Sequence, residues 1–118
     1  MIKIGIIGSQ SMHAEAFARS CNIPDKDGRF LIPDCRITAI CGIDDTVQHT
    51  KETADKGRIS RIAENPGDIC GLCDAVMILT RSGENHVPYA LPFIKKGFPV
   101  FIDKPVCISD EDIAALKN

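Results

Sequence analysis

This chain has no dense run of lysine and arginine, and that absence removes the electrostatic footprint of a nucleic-acid or anionic-membrane binder. Its 14 basic and 16 acidic side chains leave a net charge of −2. Long hydrophobic runs are missing too. The longest strongly apolar one, Ala75 to Leu79, falls far short of the roughly 20 residues that a membrane helix needs. Gly5, Gly8, Ser9 and Gln10 interrupt the apolar N-terminus. It therefore lacks the core of a secretory signal, and the expected compartment is the cytoplasm. The six cysteines do not have the spacing of a disulfide framework. Cys70 and Cys73 form a lone C-x-x-C without the second ligand pair of a zinc site, and it leads into a strand rather than following one. Cys41 and Cys73 sit in or beside apolar runs and are expected to pack as small hydrophobes. No metal site is expected. Repeats and low-complexity segments are absent.

What remains is an ordinary globular composition, 44% hydrophobic and 25% charged. A length of 118 residues fits one domain, 1–118. A chain of that size buries roughly 65% of its unfolded surface on folding, enough for one core.

Strand-like and helix-like patterns alternate along it. Ile2 to Ile7 reads as a central strand. After a polar turn, Ala14, Phe17, Ala18 and Cys21 recur at i, i+3, i+4, i+7, one face of a helix over 12–21. Asn22 is placed to cap it in the left-handed region. Residues 23–35, with Pro24, Gly28 and Pro33, read as a long loop. Arg36 to Ile43 is the second strand. A capping pattern at Asp45 to Gln48 predicts a helix from Thr46 to Lys56 that ends at Gly57, exposed because its apolar face is thin. Ile59 to Ile62 is a short strand, and Asn65-Pro66 opens a short helix. Ala75 to Thr80 is a buried strand. Val87, Ala90, Leu91 and Ile94 make a further helical stripe closed by Gly97, with Pro92 expected to kink it or shift its start. Val100 to Ile102 is the next strand, and Ser109 with Asp112 caps a last helix. Five strands alternating with helices predict an α/β fold of the doubly wound Rossmann type, a mainly parallel sheet with helices on both faces.

In such a fold ligands lie over the carboxyl ends of the strands. Four places there carry candidate chemistry. The first turn, Gly8-Ser9-Gln10-Ser11-Met12, leads into a helix whose N-terminal N–H groups favour a pyrophosphate. Gly8 fills the first position of G-x-G-x-x-G, whereas Gln10 and His13 occupy the second and third. Ala14 can supply the close helix–strand packing that His13 would block. At the end of the second strand, Asp44 and Asp45 are both of the type that accepts hydrogen bonds from a ribose. With Asp45 as the helix cap, Asp44 is the ribose candidate, and an acid there favours NAD over NADP; two plain turn acids are the other reading. The loop after the fourth strand brings Thr80, Arg81 and His86 to the crevice. His86 either donates to a ligand or is a surface residue at a helix start. Asp103-Lys104-Pro105 follows the fifth strand. A desolvated lysine can exchange a proton with a substrate hydroxyl. Pro105 restricts Lys104 to extended dihedrals and makes a cis Lys104–Pro105 bond accessible. The plain alternative is a solvated lysine in a turn.

The runs IGIIGS, CDAVMILTRSGENH and KKGFPVFIDKP together resemble the glucose–fructose oxidoreductase / inositol dehydrogenase / rhizopine-catabolism (Gfo/Idh/MocA) family. The resemblance spans essentially the whole chain and is most specific from Asp74 to Pro105. It implies the family's N-terminal NAD(P)-binding domain. By the same resemblance Lys104 serves catalysis beside the nicotinamide, within an Asp-Lys-Pro triplet where the family usually has Glu-Lys-Pro. Thr80-Arg81-Ser82 replaces the family's frequent Thr-Pro-Asn. The implied activity is hydride transfer between nicotinamide and a hydroxyl carbon of a sugar, cyclitol or related polyol. The family's second α/β domain, which supplies most of the substrate pocket and much of the oligomer interface, does not occur within these residues. The domain alone is therefore expected to lack turnover, and a homo-oligomer is compatible with the resemblance. Two rivals stand beside this reading. One is a non-catalytic binding or regulatory module of the same fold, favoured by Gln10 and Arg81. The other is a CoA-binding or homoserine-dehydrogenase-like domain, which Asp103-Lys104-Pro105 argues against.

Overall fold

Both Ile6 and Ile7 are wholly buried although they point to opposite faces of one strand, so their strand is covered on both sides. In the computed structural model, which describes residues 1–10, 12–43, 47–80 and 86–102, that strand is β1 (Ile2–Ile7). It is followed by α1 (Met12–Asn22), β2 (Cys35–Cys41), α2 (Val47–Gly57), β3 (Arg61–Ala63), a 3-10 helix (Pro66–Gly71), β4 (Ala75–Ile78), α3 (His86–Lys95) and β5 (Val100–Ile102). The five strands form one sheet in the order β3-β2-β1-β4-β5, and every pairing is parallel. This is the expected doubly wound arrangement, with its switch point between β1 and β4. The expected last helix, from Ser109, lies outside the described residues.

The sheet separates two apolar layers. On one face Ile6, Ile37, Ile40 and Leu79 pack against Ala14, Ala18 and Cys21 of α1 and Ala54 of α2. On the other, Ile7, Cys41, Val76 and Ile78 pack against Ile69 of the 3-10 helix and Ala90 and Phe93 of α3. Ile37 and Ile40 are three apart yet share a face, which strict strand alternation forbids. The register explains it: Ile4 pairs with Ile37 but Gly5 pairs with Ala39, so Thr38 is an extra residue in a bulge. Its hydroxyl donates to the Leu72 carbonyl at 2.8 Å. Among the described residues no helix is long and apolar enough to cross a membrane.

Several expectations change in detail. Asn22 is not left-handed. It is the last residue of α1, and its side chain accepts from the Ile37 N–H at 2.8 Å while donating to the carbonyls of Ile37 at 2.8 Å and Gly57 at 2.9 Å. One amide thus ties α1 to β2 and to the end of α2. Gly57 does not terminate α2 by a left-handed turn. Arg58 takes that role, at φ 53°, and the Ile59 N–H closes the helix on the Ala54 carbonyl at 2.8 Å. Gly57 is needed for approach instead, since a β-carbon on it would stand 2.5 Å from that of Ala18. The helix that looked exposed buries Thr50, Thr53, Ala54 and Gly57, and these small residues let α2 lie close to α1. In α3 the buried residues are His86, Val87, Ala90 and Phe93, while Ile94 stays 42% exposed. Phe93 meets Phe98 edge to face at 5.9 Å after the turn at Gly97. The helix runs through Pro92, whose ring is on the exposed side. The strand expected at Ile59–Ile62 begins at Arg61 because Ile59 is spent in the core beneath α2.

Candidate functional site

The carboxyl ends of β1, β2 and β4 are knitted together before any loop begins. The Gly8 N–H donates to the Cys41 carbonyl at 2.7 Å, and the Leu79 N–H to the Ile7 carbonyl at 2.8 Å. Gly8 then turns out of β1 at φ 101°, a conformation open to glycine. A β-carbon there would lie 2.7 Å from the Thr80 nitrogen and 2.8 Å from its α-carbon. The first position of the glycine fingerprint is thus fixed by a close backbone crossing between β1 and β4.

Ser9 goes inward. It is fully buried, and its hydroxyl pairs with that of Thr50 on α2 at 2.9 Å. A β-carbon on Gly42, at the end of β2, would run into Thr50 Oγ1 and reach within 3.3 Å of Ser9 Oγ. Gly42 therefore makes room for the hydroxyl pair that anchors the first turn to α2. Thr50 and Gly42 are the site residues that sequence reasoning passed over. The available signal was a glycine ending an apolar run, followed by threonines on an otherwise weakly apolar helix.

Gln10 is half-buried and, with Met12, borders a groove of about 370 Å³ between α1 and α2. Met12 is the first residue of α1 and 86% exposed. His13 is exposed and meets Phe17 edge-on at 6.3 Å, while Ala14 is wholly buried. Close packing at the start of α1 is thus carried by Ala14, as its position suggested. A second cavity, about 430 Å³, opens beside the ends of β2 and β3 and is bordered by Gly42, Thr50, Lys51 and Glu64.

Across the switch point, Thr80 is 5% exposed, and its Oγ1 has no hydrogen-bond partner among the described residues. His86 is not on the surface. It is fully buried at the first turn of α3, with Nε2 at 2.7 Å from the Thr80 carbonyl. A carbonyl only accepts, so Nε2 carries the hydrogen of this bond. Gly8, Ser9, Gln10, Met12, Thr80 and His86 accordingly gather at the ends of β1 and β4. Ser11, Asp44, Arg81, Asp103, Lys104 and Pro105 lie outside the described residues.

The nearby thiols are structural. Burial pushes Cys41 upward, with a smaller push from Asp68, and burial likewise raises Cys21 and Cys73. The Cys73 thiol donates to the Ile69 carbonyl at 3.2 Å. The five described cysteines are free, and no cluster of three or more His, Cys, Asp or Glu side chains among the described residues is arranged to hold a metal ion.

Known proteins share this arrangement. The model of the Gfo/Idh/MocA oxidoreductase family, described as an NAD-binding Rossmann fold, matches residues 2–118. An inositol 2-dehydrogenase of Ralstonia nicotianae is 27% identical over 109 residues, which are 92% of this chain and 30% of that protein. Among solved structures, the myo-inositol dehydrogenase of Lactobacillus casei in complex with NAD(H) and myo-inositol superposes with a TM-score of 0.78 at 16% identity, over 99% of this chain and 32% of its own. A Gfo/Idh/MocA family oxidoreductase from Vibrio cholerae gives 0.76 at 23% identity, covering 99% of this chain and 34% of its own. The chain thus spans about a third of the length of these relatives. With the family model matched over residues 2–118 and a parallel sheet in the order β3-β2-β1-β4-β5, the chain belongs to the Gfo/Idh/MocA oxidoreductase family and matches that family's NAD-binding Rossmann fold.

Proposed function

We propose that this domain binds NAD across the carboxyl ends of its strands as the cofactor half of an oxidoreductase that acts on a hydroxyl of an inositol-like polyol or sugar. The observation that carries this reading is the Thr80 hydroxyl, buried without a hydrogen-bond partner among the described residues, opposite Gly8 at the switch point. A buried hydroxyl left unpaired costs about 1–3 kcal/mol, and a ligand lying across the crevice would remove that cost. The residues present fit a dinucleotide. The turn from Gly8 to Met12 opens α1, whose N-terminal N–H groups suit the pyrophosphate. Asp44 comes after β2 in the sequence and is proposed to hold the adenine ribose; a cavity bordered by Gly42 and Lys51 opens at that end of the sheet. An acid at that position favours NAD over NADP. Thr80 and His86 are assigned to the nicotinamide end, and Arg81 joins them by its place in the sequence.

When bound, the cofactor supplies the hydride acceptor. Lys104, flanked in the sequence by Asp103 and Pro105, is proposed to take the hydroxyl proton as the carbon gives up its hydride. A lysine does this only when neutral, so a desolvated setting beside the nicotinamide is part of the proposal. No residue of this chain is assigned to orient the polyol, and the 118-residue chain alone is proposed to lack turnover. The cytoplasm is its proposed setting.

Titration calorimetry with NAD, NADH, NADP and NADPH tests this reading. Binding of NAD and NADH, at least about tenfold tighter than their phosphorylated counterparts, is expected. A folded chain that binds none of the four is a non-catalytic member of the fold instead.

A further inference from the structure

The geometry points to His86 as a positioning residue: its imidazole holds the Thr80 carbonyl so that the Thr80 hydroxyl is presented to the dinucleotide. This inference rests on the binding reading above and gives His86 a role other than ligand contact. Three observations converge on one residue. The Thr80 backbone is blocked on one side by Gly8, whose α-carbon sits where no β-carbon would fit. Its carbonyl is engaged on another by Nε2 of a fully buried histidine at 2.7 Å. The side-chain hydroxyl of Thr80 has no partner among the described residues, and the residue is more than nine-tenths buried. The same bond joins Thr80, just after β4, to the first residue of α3, six positions further along the chain. A peptide free to rotate would let the Thr80 carbonyl compete for the ligand's donors and swing the hydroxyl away. With the carbonyl occupied, the hydroxyl is left available to the ligand.

The imidazole acts through Thr80, so its loss and the loss of the hydroxyl should overlap rather than add. Calorimetry with NAD on the 118-residue chain reads this out. Thr80→Val, which keeps the branched shape, is expected to weaken binding about tenfold. His86→Phe, which keeps the bulk and removes the donor, should lose about the same, while His86→Gln, which restores a donor, stays within about threefold of the parent. The double variant His86→Phe/Thr80→Val should be no more than about threefold weaker than the worse single change. Independently of any variant, NAD should shift the Thr80 methyl and His86 ring signals in nuclear magnetic resonance spectra. This keeps the test open should His86→Phe fail to fold. The inference is overturned by parent-like affinity in folded His86→Phe, by equal losses in the Phe and Gln variants, by losses that multiply in the double variant, or by unshifted Thr80 and His86 signals. A parent chain that binds no nucleotide overturns the binding reading and this inference together; a parent that binds, with an indifferent His86→Phe, overturns this inference alone.

Discussion

Gly8 and Thr80 meet backbone against backbone where β1 and β4 end, close enough that a β-carbon on Gly8 would be 2.7 Å from the Thr80 nitrogen. This contact draws the two halves of the sheet together at the point where a dinucleotide is proposed to cross them.

Gly8→Ala must move that crossing and also places alanine at φ 101°. A loss of about 2–4 kcal/mol in stability is expected, from overpacking and the left-handed backbone together. Urea unfolding followed by circular dichroism measures it. Affinity for NAD should fall by at least about tenfold in whatever fraction stays folded, since the turn proposed to hold the pyrophosphate begins at this residue.

The approach of α2 to α1 depends on Gly57. Gly57→Ala should cost about 1–3 kcal/mol, because the added methyl meets the Ala18 methyl. Ala18→Gly in the same chain should recover part of that loss. A double-mutant cycle with no coupling between the two positions would show that the contact is not what matters.

Asn22→Ala removes the amide that serves Ile37 through both N–H and carbonyl and serves Gly57 through its carbonyl. A destabilisation of about 2–4 kcal/mol is expected, at net values of about 1 kcal/mol per bond and somewhat more for groups left unpaired. Amide hydrogen exchange should speed up at Ile37 first.

Cys21, Cys41 and Cys73 are raised above the ordinary thiol value of 9.0, in each case chiefly by burial. The folded chain then keeps protons that the unfolded chain releases. The stability tied to these thiols is complete below pH 9.0 and is lost as pH rises through the folded values. The urea midpoint should therefore fall as pH rises above 9.0, and the fall should shrink in a Cys41→Ala/Cys73→Ala variant. An equally steep fall in that variant would assign the effect to other groups.

Lys104→Ala, made in a full-length protein carrying this domain, should lower kcat by about a hundredfold or more while NAD affinity changes by less than about threefold. Equal losses in kcat and affinity would make Lys104 a binding residue. No loss in either would remove it from the reaction.

Much of this fold was legible because it is local. The polar turn after β1 and the Ala14, Ala18, Cys21 stripe mark a strand turning into a helix packed on one face. Gly97 closes α3 in the left-handed region as a glycine after an apolar stripe should. Val100 to Ile102 is a strand between the bounds the sequence suggests. The phase of α3 was less legible: Phe93 and Ile94 are equally apolar neighbours, and only the position of Phe98 decides which is buried. The bulge at Thr38 was hidden as well, since an extra residue in a strand appears only once its partner's register is fixed.

The candidate site divides along the same line. By itself the sequence determined the parallel sheet, its glycine turn and the family, because period, turn chemistry and motif order are properties of neighbouring residues. Tertiary structure decided what each residue is for. Gly57 looked like a helix stop and is a helix–helix contact, His86, read as a ligand donor or a surface residue, is buried against the Thr80 carbonyl, and Ser9 with Thr50 and Gly42 makes an anchor spread over three elements. Each of these roles is set by what comes within a few ångströms from a distant part of the chain, and sequence spacing carries no record of that distance.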